Sequence, residues 1–227
     1  MGSTRYRSRI AAAVRAALVA LLLAGLIAPD RLALAAVSAK RPGLFGSHEK
    51  QYRGVAKFKK WQSVLRRRLR WKQLAKLNCK KGPYVNCGLY YWQKLVVDLK
   101  GKDRLTQIKT VHKYLNEVRY IKDPRNWNVA DYWETPTEFF DKQGDCEDYS
   151  ITKYLTLRQL GFSSKNLRIA VVKDLNLNLW HAILIVYHKG RALVLDNQIR
   201  YVIDARKVHH YRVTYSINEK HWWKHRH

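Results

Sequence analysis

The chain has 227 residues, enough for one domain with a full core after an N-terminal leader is set aside. Lys and Arg number 44 against 17 Asp and Glu, a net charge of +27 that favours anionic surfaces as partners. Past the leader no stretch is long and apolar enough to cross a bilayer, so a protein of many membrane spans is excluded.

Arg5, Arg7 and Arg9 precede an apolar run over 10–28 that is interrupted by Arg15. Ala33-Leu34-Ala35 and Val37-Ser38-Ala39 both fit a small-x-small cleavage site. This is the pattern of a secretory signal peptide over 1–39, cleaved near 35–39. A retained anchor is the other reading, for which the unbroken part is short. Cleavage would remove five Arg and one Asp and leave a net charge of +23. An exported chain of this charge meets membrane lipid, envelope polymer or acidic protein, and no nucleic acid is expected. Export also permits disulfides. Cys79 and Cys87 enclose a turn-rich loop and can close on each other, worth roughly 2–3 kcal/mol in the chain-entropy model. Cys146 is then the odd thiol, reactive or intermolecular.

In chain order, 40–55 is polar with Pro42, Gly43 and Gly46 and is expected as an extended arm; a single domain follows over 56–227. Over 56–77, Phe58, Trp61, Leu65 and Leu69 fall near helical spacing among Lys59, Lys60, Arg66, Arg67, Arg68, Arg70 and Lys72. This basic helix either packs one face on the core or docks on a membrane surface. Helices are expected over 89–99 and 105–118, the second with the stripe Ile108, Val111, Leu115, Val118. Asp123-Pro124 closes that region. Thr135-Pro136-Thr137-Glu138 is a capping box that starts a short helix through Phe140. Asp145 is placed to cap a helix over 146–160 that Gly161 stops. Strands are expected over 167–172, 179–187, 192–195 and 199–203, with a turn at 188–191. The fold class is therefore α+β, a helical N-terminal part packed on an antiparallel sheet.

The chemistry centres on Gly144-Asp145-Cys146-Glu147-Asp148-Tyr149. A helix start favours the thiolate of Cys146 and offers unpaired N–H donors to an oxyanion. His181 lies in a strand, and Asp196 ends the strand that returns from it, so the hairpin can bring the two together. Cys146 as nucleophile, His181 as base and Asp196 as orienter form an activated-thiol set, with Asn197 a weaker candidate for the last role. Asp141, Asp145, Glu147 and Asp148 crowd eight residues, and their repulsion would raise the thiol pKa. A bound cation would relieve it, and an oxygen-rich set suits Ca²⁺; acids favoured at a helix start are the plain alternative. Asp174 could reach the same corner.

The blocks Asp131-Tyr132-Trp133, Thr135-Pro136, Gly144-Asp145-Cys146-Glu147-Asp148-Tyr149, Lys153-Tyr154, Trp180-His181-Ala182, Leu195-Asp196-Asn197 and Tyr215-Ser216-Ile217-Asn218-Glu219 resemble the bacterial transglutaminase-like cysteine proteases of LapG type. The resemblance covers roughly 105–223. It implies a papain-like, transglutaminase-like fold with Cys146, His181 and Asp196 as the catalytic set, and a calcium site that uses Asp145 and Glu147. It further implies a periplasmic endopeptidase acting on a large biofilm adhesin, regulated by an inner-membrane cyclic-di-GMP receptor. Acyl transfer to an amine and a purely cationic envelope-binding module are the other readings. The basic first helix and the Cys79/Cys87 pair depart from the family pattern.

Overall fold

The computed structural model describes residues 43–71 and 87–227. The leader expected over 1–39, the continuation of the first helix to 77, and Cys79 lie outside the described residues. The pairing of Cys79 with Cys87 thus falls partly on an undescribed position.

The described residues form an α+β fold around one seven-stranded antiparallel sheet. In chain order the strands are β1 (His48–Arg53), β2 (Leu167–Asp174), β3 (Leu179–His188), β4 (Arg191–Leu195), β5 (Ile203–Asp204), β6 (Tyr211–Ile217) and β7 (His221–Arg226). Their spatial order is β1-β7-β6-β2-β3-β4-β5. The helices are α1 (Lys59–Trp71), α2 (Cys87–Leu99), α3 (Arg104–Asn116), α4 (Asp123–Asn126), α5 (Pro136–Lys142) and α6 (Cys146–Gln159).

The middle strands read as nearly continuous apolar runs because both faces of the sheet are covered. Ile169, Leu184, Leu193, Leu195 and Ile217 pack with the helices. Ala170, Val172, Ile183, Ile185 and Val194 pack on the opposite face with Leu44, Val208 and Tyr211. α6 is the central helix, buried from Asp148 through Leu157. The capping box at Thr135 forms as expected: its Oγ1 accepts from the Glu138 N–H, and Glu138 Oε2 accepts from the Thr135 N–H at 2.7 Å.

Three sequence expectations change. The segment expected as an arm is extended over 48–53, but it is a paired strand: β1 aligns with β7, and Leu44 before it is fully buried. The strand expected over 199–203 shrinks to Ile203–Asp204. The Ile199 carbonyl instead accepts from Asn116 Nδ2 at 3.2 Å and lies 3.0 Å from His112 Nε2, which holds this stretch as a turn. β6 and β7, outside the four expected strands, complete the sheet. The basic helix α1 is tied to the body, with Arg67 on Glu138, Arg68 on Glu219 and Lys60 on Asp131. That agrees with the core-packing reading of its two alternatives.

Candidate active site

The site forms where β3 outruns its neighbour. β4 pairs with Leu184–His188, so the first half of β3 has no strand on that side. The N-terminal turn of α6 fills part of this gap. The Ala182 carbonyl accepts from Ser150 Oγ at 3.0 Å, and the Ala182 backbone is the one influence on the Cys146 thiol that lowers its pKa. Ala182 of β3 therefore docks α6, and His181 precedes it.

The hairpin brings His181 and Asp196 together as its turn geometry implied. His181 Nε2 lies 2.8 Å from Asp196 Oδ1, and both residues are buried. This leaves Nδ1 as the ring nitrogen that Asp196 does not hold; Gln198 Nε2 sits 3.5 Å from it. Asp196 is itself fixed on every side. Its Oδ1 also accepts from the Gln198 N–H at 2.9 Å, its Oδ2 accepts from the Tyr211 hydroxyl at 2.6 Å, and its backbone carbonyl accepts from Asn116 Nδ2 at 3.0 Å. Burial alone would raise the Asp196 pKa. The hydrogen bond and charge of His181, with the Tyr211 hydroxyl, outweigh it and hold the carboxyl below the usual range. Gln198 and Tyr211 were absent from the sequence reading. Asn197 lies beside the pair, but the carboxylate on the imidazole belongs to Asp196.

Gly144 explains the start of the motif. A Cβ there would fall 2.7 Å from the Asp148 Cβ, so the chain can pass over this buried carboxylate only as glycine. Asp148 in turn accepts from the Asp145 N–H at 3.0 Å and the Glu134 N–H at 2.8 Å. It pins the residue before Cys146 to the loop that precedes α5.

At the Cys146 thiol the acid repulsion expected from the sequence works against the helix start. Burial pushes the Cys146 thiol up, the charges of Glu147 and Asp145 push it further, and Sγ–H donates to Glu147 Oε2 at 3.1 Å. The same crowding acts on the acids. Burial, with Asp145 next to it, raises Glu147 to about 9. Burial raises Asp123 to about 6 and Glu134 to about 8, and it raises Asp148 as well. Lys60 reaches Asp131 at the edge of this group, and the acid oxygens converge. Asp123, Asp131 and Glu147 form one set with ligand atoms within 4.8 Å of one another, and Asp123, Asp145 and Asp148 form another. Asp123 Oδ1 and Asp145 Oδ1 are buried without a hydrogen-bond partner. These converging hard oxygen donors, two of them buried without a partner, fit a calcium-sized cation. Sequence reasoning found Asp145 and Glu147 and missed Asp123 and Asp131, which come from separate segments. Asp174 does not join them: its Oδ1 accepts from the Asn176 and Leu177 N–H groups in the β2–β3 turn. Asp141 belongs to α5 and to neither of those two sets.

Residues 71–226 match the family described as bacterial transglutaminase-like cysteine proteinase BTLCP. Among solved structures, calcium-bound LapG of Legionella pneumophila is 31% identical, with a TM-score of 0.60 over 69% of this chain and 87% of that one. The EGTA-treated form of the same protein is 30% identical, with a TM-score of 0.60 over 70% of this chain and 86% of that one. No curated protein sequence matches. The solved structures therefore agree with a LapG-like transglutaminase-type fold and a cysteine peptidase activity.

Proposed function

Because the chain belongs to the bacterial transglutaminase-like cysteine proteinases, we propose that it is a calcium-dependent periplasmic endopeptidase that cleaves a surface adhesin, with Cys146, His181 and Asp196 as its catalytic set. The observation that carries this reading is the junction at β3: His181 is hydrogen-bonded to Asp196 through Nε2, and the carbonyl of the next residue accepts from Ser150 of α6, the helix that Cys146 opens.

With Nε2–H donated to Asp196, His181 Nδ1 carries the lone pair and takes the proton of Cys146 Sγ. The thiolate attacks the peptide carbonyl carbon, and the carbonyl π pair moves to oxygen. The Cys146 backbone N–H, at the first position of α6, is free of any helix partner and can face that oxyanion. The C–N bond breaks as the imidazolium of His181 protonates the leaving amine. Water then adds to the thioester with its proton passing to His181, and the S–C bond breaks to release the acid. Asp196 stabilises the imidazolium at each stage. Asp145 and Glu147, joined by Asp123 and Asp131, would hold Ca²⁺, which when bound neutralises the local repulsion and favours the Cys146 thiolate.

The wider context rests on the family and the sequence: export through the leader over 1–39, a receptor of the cyclic-di-GMP type, attraction of the basic chain to an anionic envelope, and a Cys79–Cys87 disulfide. The test is intact-mass analysis of a purified adhesin N-terminal segment incubated with the mature protein. The expected result is two fragments whose masses sum to the substrate plus one water, lost with chelator and with Cys146→Ala. Incorporation of an added amine would convert the reading to acyl transfer. An uncut segment in the presence of Ca²⁺ would refute adhesin as the substrate.

A further inference from the structure

The most exposed apolar cluster of the described residues adjoins the catalytic histidine. Leu175, Leu177, Leu179 and Trp180 are 51%, 56%, 58% and 63% exposed and fall within six residues at the tip of the β2–β3 hairpin. In a chain this rich in charge, such a patch has no role in the core. The tip is also rigid. Asp174, itself buried, caps the turn through two backbone N–H groups at 2.8 and 3.0 Å. The Leu175 N–H is bonded to the His210 carbonyl at 2.8 Å, and Lys173 Nζ donates to the Asn178 carbonyl at 2.6 Å. The hairpin therefore holds its apolar side chains in water against their own preference.

Its position names the occupant. Trp180 precedes His181 and shares a strand face with Ala182, about 7 Å further along, whose carbonyl accepts from Ser150 of α6, the helix that Cys146 opens. This half of β3 has no strand on its β4 side. An extended chain approaching Cys146 passes beside the tip. We propose that the 175–180 hairpin tip is the specificity wall of the site and receives apolar side chains of an extended polypeptide substrate. This rests on the cysteine peptidase reading and adds to it the class of side chain recognised next to the scissile bond.

The test uses two active-site-directed chloromethyl ketones, Leu-Leu-Ala and Glu-Glu-Ala, with iodoacetamide as a reference that needs no subsite. Modification of Cys146 is followed by mass in calcium-containing buffer. The native protein should react with the leucine reagent at least ~10-fold faster than with the glutamate one, since one apolar contact discriminates by roughly 10–200-fold. In Trp180→Ala, and separately in Leu177→Ser/Leu179→Ser, that ratio should fall to about 1–3 while iodoacetamide labelling and the melting temperature stay unchanged. Equal rates for the two peptides in the native protein, or a preference that survives in both variants, would overturn the proposal. So would a large fall in melting temperature in both variants, which would make the tip a packing element. Failure of iodoacetamide to modify native Cys146 would instead remove the nucleophile, and the wall with it.

Discussion

At the residue scale the site is a chain of dependences that ends on Asp196. Its two oxygens are shared among His181, Gln198 and Tyr211, so its charge and its direction are set by different partners. Asp196→Asn keeps the shape and loses the charge facing the imidazolium. The expected loss in kcat/KM is on the order of 10²–10⁴-fold. Tyr211→Phe removes one of the three hydrogen bonds on the carboxylate and should cost about tenfold or less, since a hydrogen bond to a charged group contributes roughly 1.5–3 kcal/mol, most of it shared here by the remaining partners. Turnover of both variants by active-site titration settles the order, and an inverted order would move the orienting role off Asp196. A second residue couples stability to pH. Lys153 is fully buried, its Nζ has no hydrogen-bond partner, and burial lowers its pKa to about 7. In the unfolded chain it keeps its proton up to about 10.4. Between those values the unfolded state holds the extra proton, so stability rises with pH across that window. Lys153→Met should raise stability at pH 7 by about 1–4 kcal/mol and flatten that rise. Denaturant midpoints at pH 7 and pH 9.5 measure both effects, and an unchanged slope would place the titration elsewhere.

At the element scale, what could be read from the chain depended on period and phase. The helices over 89–99 and 105–118, the capping box at Thr135 and the 179–195 hairpin carried clear periods and formed within a few residues of expectation. β6 did not, because a register shift between Val171 and Val172 of β2 changes its phase. Val213 faces the second cluster while Tyr215 and Ile217 face the helices. β1 and β7 hide for another reason: their exposed faces bear His48, Lys50, Lys224 and Arg226, so neither reads as apolar alternation. Cys146, His181 and Asp196 were legible as a candidate set because they open a helix, lie in a strand and directly follow one. The acidic cluster was legible in part, since Asp123 and Asp131 reach it only through the tertiary fold. β1 also carries a testable latch. Glu49 Oε2 lies 2.6 Å from Arg168 Nη1, whose side chain is 3% exposed and whose guanidinium stacks 3.6 Å from the Trp223 ring. Glu49→Ala strands that buried charge and should destabilise the fold by about 3–5 kcal/mol. A change under about 1 kcal/mol in chemical denaturation, the size of a surface pair, would mean that water replaces Glu49.

At the scale of the whole molecule, an acidic pocket is buried in a chain of net charge +27. The basic exterior reaches it through Lys60 on Asp131, yet the buried acids stay raised. Asp123, Glu134, Glu147 and Asp148 are all pushed up by burial first, and neighbouring carboxylates push each of them further. A cation that binds only the folded state stabilises it by mass action, about 2.7 kcal/mol at a hundredfold excess over its dissociation constant. Chelator should therefore lower the melting temperature, and calcium should restore it where magnesium does little, because magnesium demands a tight octahedral site. Asp145→Ala/Glu147→Ala should remain folded and lose the response; a melting temperature indifferent to chelator in metal-free protein would leave these acids as helix-start residues only. The same pocket governs the thiol, so the reactivity of Cys146 reports on nucleophile, base and cation together. The most direct measurement is the rate of iodoacetamide labelling at Cys146 at pH 7, by peptide mapping, in calcium, in chelator and in His181→Ala. Labelling in calcium should outpace an ordinary thiol of pKa about 8.5 and fall at least ~10-fold in each of the other two conditions. Equal rates in all three would contradict an activated Cys146.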